Sequence, residues 1–316
     1  MAITRALASI FLCAAATGWS APFAFVSNEG SASISVIDIA ADTAIRTIPT
    51  GEKPRGITVS PDGARVYVTE QSSNALSAYD TATGERVARV AVGHSPEGAY
   101  LSPDGKTIAV AVEENNQVVL VDTGAMSVAR TVTMKGKNPE HAVWSPDGKW
   151  IFASAEEADS VDVIDVAAGR VAASIQVGLR PRGIGFLPDS SRAYVAAENA
   201  DLVNVIDVAS RRVVATIPAA SRSNGVTVHP DGKRVFVSSG GAALVQVIDT
   251  STNAIVAKVP VGQRPWNMAL SPDGRKLYVA CGRSGAVAVV DTTDYRKIAE
   301  VPVGKLPWGV AIAKER

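Results

Sequence analysis

The segment SPDGARVYVTE (60–70) recurs five more times along the chain with small changes. It joins a Pro-Asp-Gly turn to a run of valine, tyrosine and threonine. Proline presets φ in such a turn, aspartate bonds the backbone locally, and glycine accepts positive φ. The turn prolines follow one another at steps of 42 or 43 residues: Pro61, Pro103, Pro146, Pro188, Pro230 and Pro272. A fixed period of this length indicates a repeat architecture.

A second marker gives seven repeats rather than six. An aspartate ends a short apolar run in each unit, at Asp38, Asp80, Asp122, Asp165, Asp207, Asp249 and Asp291. Seven units of about 42 residues fill all but roughly 22 of the 316 residues. We therefore expect one domain over residues 21–316 and no second domain.

Each unit contains four short runs of strand-forming residues separated by turn-forming residues. The first full copy has these runs at 56–60, 65–70, 75–80 and 86–92. Their β-branched and aromatic residues suit half-buried strands, and helical periodicity is absent. Four antiparallel strands per unit of this length predict an all-β, seven-bladed propeller.

The two ends of the repeat array complement each other. The chain enters at FAFVS (23–27) without a preceding first strand, and it ends with GVAIA (309–313), a first strand with no blade to follow. Three strands from the N-terminus and one from the C-terminus would complete the seventh blade. The sequence predicts a closed ring that leaves no sheet edge around it.

The repeats also resemble a known family. The runs YVTE, IFAS, AYVA, VFVS and LYVA, which follow the turns, and the VID aspartates resemble bacterial YVTN-type β-propeller repeats over residues 23–316. KPRGITVSPDG, RPWNMALSPDG and VGKLPWGVAI are similar to exported seven-repeat propellers associated with pyrroloquinoline-quinone-dependent alcohol catabolism. The resemblance implies an exported scaffold, and it implies no particular reaction.

The loops fall on two faces of such a ring, and one face varies from blade to blade. The Pro-Asp-Gly turns share a face, whereas the segments leading into each first strand lie at the mouth of the central channel. Loops of this kind on a rigid scaffold commonly carry binding residues. We predict a ligand- or partner-binding surface made of Arg55, Glu97, Glu140, Arg180, Arg182, Arg222, Asn224, Arg264, Trp266 and Trp308. The alternative is a solvated rim whose charges cancel. In either case, rim residues should contribute little to the core.

Acidic residues in the turns after the second strands lie on the same face. They are Glu113, Glu114, Glu156, Glu157 and Glu198. They could form a patch for a basic partner such as a small exported cytochrome, or they could simply keep the surface soluble.

The first functional hypothesis is a periplasmic, non-enzymatic binding or scaffold protein, accessory to quinone-dependent alcohol oxidation. Its partner would be a periplasmic redox protein or a small anionic or aromatic ligand, and we expect a monomer with no assigned cofactor. Lys+Arg and Asp+Glu both number 31, so no global field favours nucleic acid. The alternative is a metal-dependent hydrolase of the lactonase type. It would use Glu97, Glu140 and His141, a set whose oxygens would suit Ca²⁺.

The first twenty residues predict export to the periplasm. Arg5 precedes the apolar run ALASIFLCAAA, which is too short to span a bilayer, and small residues follow it. Removal of residues 1–20 would take away Cys13 and leave Cys281 as the single cysteine, which excludes an internal disulfide.

We therefore expect the mature protein to begin near Ala21 or Pro22. N-terminal sequencing of the protein from a periplasmic fraction checks this expectation. Recovery of the intact chain from the cytoplasm, still beginning at Met1, would contradict it.

Overall fold

Four concentric layers of strands build the domain. The computed structural model describes residues 23–313. The innermost strands are β4 Pro54–Val59, β8 Pro96–Leu101, β12 Pro139–Trp144, β16 Pro181–Phe186, β20 Ser223–Val228, β24 Pro265–Leu270 and β28 Pro307–Ile312. The second strands are β1 Phe23–Asn28, β5 Arg65–Glu70, β9 Thr107–Val112, β13 Trp150–Ala155, β17 Arg192–Ala197, β21 Arg234–Ser239 and β25 Lys276–Cys281.

The outer layers complete each blade. The third strands are β2 Ser33–Asp38, β6 Ala75–Asp80, β10 Gln117–Asp122, β14 Ser160–Asp165, β18 Leu202–Asp207, β22 Leu244–Asp249 and β26 Ala286–Asp291. The fourth strands are β3 Thr43–Pro49, β7 Arg86–Ala91, β11 Ser127–Thr133, β15 Arg170–Gln176, β19 Arg212–Pro218, β23 Ala254–Pro260 and β27 Arg296–Pro302. Single 3₁₀ turns occur at Glu29–Ser31, Gln71–Ser73, Glu156–Ala158 and Gly282–Ser284. The described residues contain no helix long and apolar enough to cross a bilayer.

The predicted seven-bladed propeller and its closure are confirmed. Seven four-stranded antiparallel sheets form, and one of them has the strand order β28-β1-β2-β3. Ala24 pairs with Ile312 and Val26 with Val310 across the closure. The two ends of the described chain therefore lie in the same blade. The predicted leader, residues 1–20, lies outside the described residues.

The repeated turns have the structural role that their chemistry suggests. Asp62 Oδ1 accepts bonds from Ser60 Oγ (2.6 Å) and the Ala64 amide (3.0 Å), and Gly63 has φ +69°. Asp80 Oδ1 accepts from the Thr83 amide at 2.8 Å. These aspartates shape the turns of the face opposite the varied loops.

The core consists of seven clusters, most of which lie between neighbouring blades. One cluster packs Phe25 and Val36 from the closing blade against Ile57 and Val66 of the next. The second strands are almost entirely buried, because both of their faces contact other blades. Each blade thus stabilises its neighbours, and the ring folds around its axis.

A bulge in the innermost strands points particular side chains toward the channel. The first strand starts at its proline, two residues before the predicted run, because Pro54 pairs with Glu70 before the register shifts. The shift lies between Pro54 and Ile57 and recurs in β8, β12, β16, β20 and β24. Such bulges redirect side chains at functional positions.

The innermost strands approach one another so closely that five of the seven blades have glycine at the residue after the bulge. A Cβ at Gly56 would lie 2.3 Å from the Glu97 carbonyl oxygen, and one at Gly225 would lie 2.4 Å from that of Trp266. In the other two blades, the same repeat position holds His141 and Asn267. The channel is consequently narrow.

Removal of residues 306–316 should strongly destabilise the domain. The deletion takes away β28, so the backbone groups of β1 that pair with it lose their partners, at a cost of about 1–3 kcal/mol for each buried group. We expect a large fall in melting temperature and increased binding of a hydrophobic dye. The matched control ends at Ala313. A deletion protein that melts with this control would contradict non-covalent closure.

Candidate ligand-binding site

A polar cavity of about 260 Å³ lies at the channel mouth, and we call it the funnel cavity. Its walls are Arg55, Gln71, Glu113, Glu140, Glu156, Arg180, Arg182, Asn224, Arg264, Trp266 and Trp308. Eight of the ten residues predicted for binding line it. Of the other two, Glu97 is buried beside Arg55, and Arg222 is exposed outside the cavity.

Two repeat positions supply almost all of these side chains. The first is the bulge residue of each innermost strand, which the sequence predicted. The second lies after each second strand and holds Glu29, Gln71, Glu113, Glu156, Glu198, Gly240 and Gly282. Glycine occupies this position in the two blades where a large side chain packs against it. A Cβ at Gly240 would lie 3.0 Å from Arg264, and one at Gly282 would lie 3.0 Å from Trp266.

Sequence reasoning missed Glu29 and Gln71 and misjudged the acidic turns. Glu113 and Glu156 face the cavity, and Glu198 is buried, whereas Glu114 and Glu157 are exposed. The predicted acidic patch is therefore divided between the cavity and the surface. The constant spacing of this second position along the repeats was the signal that could have found it.

The alternative of a solvated rim does not describe five of the ten predicted residues, which are buried. Arg182 is 8% exposed, Glu140 6% and Asn224 5%, and Glu97 is fully buried. The reason is the narrow ring: innermost strands in near contact leave little room for water around the bulge side chains. Substitution of these residues must therefore affect stability as well as binding.

Arg182 is the centre of a buried ion-pair network. Its Nε donates to Glu198 Oε2 at 2.8 Å, and its Nη1 contacts Glu140 Oε1 and lies 3.2 Å from Glu156 Oε2. Arg264 Nη2 reaches Glu198 Oε1 at 2.9 Å. Burial alone would raise the pKa of Glu198, but the charges of Arg182 and Arg264 outweigh it and lower that pKa.

Glu140 and Glu156 titrate as a pair. Burial raises the pKa of Glu156 to about 7, and the charge of Glu140 and a hydrogen bond between the two carboxyls add to the rise. Burial opposes ionisation of Glu140 as well, but Arg182 and Arg55 lower its pKa. Below pH 7, Glu140 therefore carries the charge and Glu156 retains a proton.

The structure groups acidic oxygens differently from the predicted metal set. Carboxylate oxygens of Glu113, Glu140 and Glu156 lie within 4.8 Å of one another. His141 is not in this group, and its Nδ1 is bonded to the Tyr100 hydroxyl. The guanidinium of Arg182 already contacts two of the three carboxyls, so a metal cation there would be repelled by a fixed positive charge.

Seven buried side-chain polar atoms have no hydrogen-bond partner among the described residues, and three of them belong to Arg55, which lines the cavity, and to two residues that contact its walls. These three are Arg55 Nε, Glu97 Oε2 and His141 Nε2, from three consecutive blades. Glu97 Oε1 is held by Arg55 Nη1 and by Gln71 Nε2 at 2.7 Å. Burial raises the pKa of Glu97 well above its usual range, and the Glu140 charge adds to this. Of the three atoms, Arg55 Nε belongs to a residue that lines the cavity, and it is a hydrogen-bond donor.

An aromatic layer separates the funnel cavity from the lower channel. His141 stacks on Trp308 with ring centroids 5.9 Å apart and planes inclined by 15°, and burial lowers the pKa of His141 to about 4, so the ring is neutral. Trp308 lines both the funnel cavity and a second cavity of about 80 Å³ below it. A ligand in the funnel would thus rest on an aromatic surface.

Arg182→Ala should lower the free energy of unfolding by about 3–5 kcal/mol, because it leaves buried carboxylates without their counter-charge. Urea denaturation measures the loss. The matched control is Arg222→Ala, an exposed arginine whose removal should cost no more than about 0.5 kcal/mol. Equal midpoints for the two variants would show that the network contributes nothing to folding.

Two protein families match the sequence. Residues 66–170 match the family described as YNCE-like beta-propeller, and residues 14–95 and 167–297 match the family described as Lactonase, 7-bladed beta-propeller. No curated protein matches the sequence.

Solved structures share the fold at low identity. Kuenenia stuttgartiensis hydrazine synthase is 26% identical, with a TM-score of 0.79 over 90% of this chain and 99% of that one. A putative 6-phosphogluconolactonase from Bacteroides uniformis is 20% identical, with a TM-score of 0.78 over 92% and 99%. Dihydro-heme d1 dehydrogenase NirN in complex with DHE is 19% identical, with a TM-score of 0.66 over 91% and 74%. The last two similarities show the fold alone. The lactonase match covers more than half of the chain, and the protein belongs to the seven-bladed β-propeller lactonase family.

Proposed function

We propose that the protein binds one small, oxygen-rich ligand with a flat or ring-shaped part in the funnel cavity. The observation that supports this most directly is the polar cavity of about 260 Å³ at the channel mouth, whose wall includes Arg55 with an unpartnered Nε. Buried polar atoms are nearly always hydrogen-bonded in native proteins, so an unpartnered donor on the cavity wall needs an explanation. A bound ligand would satisfy it.

The chemistry of the walls defines the ligand further. Arg55 Nε would donate a hydrogen bond, which favours a carbonyl, hydroxyl or carboxylate oxygen in the ligand. The side chains of Arg55 and Arg264 remain 22% and 16% exposed and could contact a further acidic group. Trp266 and Trp308 supply aromatic faces. An acidic ring compound meets all three requirements.

The cellular role that we propose is that of an exported accessory protein. The leader-like residues 1–20 and the sequence similarity to propellers of quinone-dependent alcohol catabolism support this role. A monomeric, non-enzymatic protein that delivers or senses a small acidic ligand for a periplasmic redox protein would fit it. The proposal includes removal of the leader, residues 1–20, so that the propeller domain begins at residue 21.

The second candidate is hydrolysis of a lactone. Two observations favour it: the family match, and the Glu140–Glu156 pair on the cavity wall. Carboxyl groups whose pKa values are driven apart are common in active sites. In this case the cavity binds the same kind of ligand and also acts on it. No metal is needed, since Arg182 occupies the position of a cation.

Isothermal titration of the mature protein against a defined panel tests the binding proposal. The panel comprises gluconate, D-glucono-1,5-lactone, an aromatic dicarboxylate and pyrroloquinoline quinone. We expect at least one compound to bind, and Trp266→Ala to weaken it about threefold to tenfold, as loss of 0.5–1.5 kcal/mol of aromatic contact predicts.

Lys106→Ala is the control, because Lys106 lies beside a Pro-Asp-Gly turn on the opposite face. It should leave the affinity unchanged. Equal binding by both variants would place the ligand elsewhere, and no binding by any panel compound would count against a small acidic ligand.

A further inference from the structure

We propose that Glu140 and Glu156 form a catalytic proton acceptor and donor pair that acts on a cyclic ester bound in the funnel cavity. This inference rests on the second candidate function and assigns residues to it. Both carboxyls line the cavity, so both can reach a ligand there.

The backbone holds the two carboxyls at a fixed separation. Glu140 is the bulge residue of β12, and Glu156 opens the 3₁₀ turn after β13, the next strand of the same blade. The Glu156 amide donates to the Asn138 carbonyl at 3.0 Å, which fixes the turn against the start of β12. Rigid placement of this kind is what acid–base catalysis requires.

The charges around the pair favour Glu140 as the proton acceptor and Glu156 as the proton donor. Two carboxyls that lie this close cannot both be ionised without strong repulsion, so they share one proton. The charged and titratable groups around the pair are Arg55, Glu97, Glu113, His141, Arg180 and Arg182. Of these, Arg182 and Arg55 stabilise the charge on Glu140, whereas burial raises the pKa of Glu156 to about 7 although Arg182 and Arg180 act in the opposite direction.

The shared proton suffices for a complete catalytic cycle. A water molecule adds to the ester carbonyl carbon, and the Glu140 carboxylate accepts the proton that the water loses. The bond between the carbonyl carbon and the ring oxygen then breaks, and Glu156 gives its proton to that oxygen. The product is a hydroxy acid, which releases one proton to solvent at neutral pH. The proton on Glu140 returns to Glu156, whose carboxyl oxygen lies within 4.8 Å of that of Glu140, and the pair is restored.

The arrangement also explains why a hydroxy acid product would leave. Ring opening creates a carboxylate beside Glu113 and Glu140, which are both acidic. Like charges this close repel each other, and the product is bound less tightly than the neutral ring at this end of the cavity.

The test measures hydrolysis and binding on the same protein. The mature wild-type chain and its variants are incubated with D-glucono-1,5-lactone, 6-phospho-D-glucono-1,5-lactone and D-galactono-1,4-lactone, and proton release is followed in a pH-stat above the buffer rate. Binding of the corresponding hydroxy acids is measured by titration calorimetry. Chelator is added in a parallel series.

We expect Glu156→Gln to lower kcat by a factor of about 10² or more, since the amide cannot donate a proton to the leaving oxygen. Its hydroxy acid affinity should stay within about threefold of wild type. Glu157→Gln, the exposed neighbour, should leave both unchanged. Wild-type kcat should fall above pH 7 as Glu156 loses its proton, and this alkaline decline should be absent from the residual activity of Glu156→Gln.

Each alternative outcome overturns the inference in a different way. Wild-type binding without hydrolysis of any probe would exclude the catalytic pair and leave the binding proposal intact. Hydrolysis by Glu156→Gln at the rate of Glu157→Gln would assign catalysis to other residues. Loss of activity with chelator would make the carboxyls metal ligands. Absence of both binding and hydrolysis would reject the proposed function together with the pair.

Discussion

The pairing of β28 with β1 is the interaction on which the rest of the molecule depends. It closes seven blades into a ring and brings seven innermost strands around one narrow axis. The strands approach closely enough that five of the seven residues after the bulge are glycine. Ser27 of β1 marks the junction, since its Oγ donates to the Arg55 carbonyl at 2.6 Å and accepts from the Gly309 amide at 3.1 Å. Closure therefore also positions the first residues of the site.

Two repeat positions turn this closed ring into a site. One supplies the bulge side chains and the other supplies the residues after the second strands, so that Arg182 of the first meets Glu156 and Glu198 of the second. Burial of so many charges rarely adds stability, because desolvation offsets most of the attraction between them. Replacement of a buried ion pair by apolar residues of similar volume is often neutral or stabilising. The proposal that these charges serve a ligand rather than the fold rests on this comparison.

The sequence predicted the fold and eight of the eleven residues that line the funnel cavity, for different physical reasons. Period, turn chemistry and the missing first strand are local patterns, and together they determine blades and closure. The bulge residues were found because the repeat varies there. Burial of Arg182 could not be predicted, since it follows from how tightly the ring closes. The sequence also could not show which glutamate of a turn points into the cavity. Glu156 faces the cavity and Glu157 faces solvent, although they are neighbours of identical chemistry. The stacking of His141 on Trp308 across the channel depends on the ring geometry as well.

The claim that the buried charges serve a ligand rather than the fold is tested most directly by replacing them together. In the triple variant Arg182→Met, Glu140→Leu and Glu156→Leu, the network loses its centre, while Glu198 keeps Arg180 and Arg264 as partners. We predict a free energy of unfolding equal to or higher than that of wild type, together with complete loss of ligand binding in the cavity. A variant that unfolds several kcal/mol more easily and still binds its ligand with wild-type affinity would contradict the account.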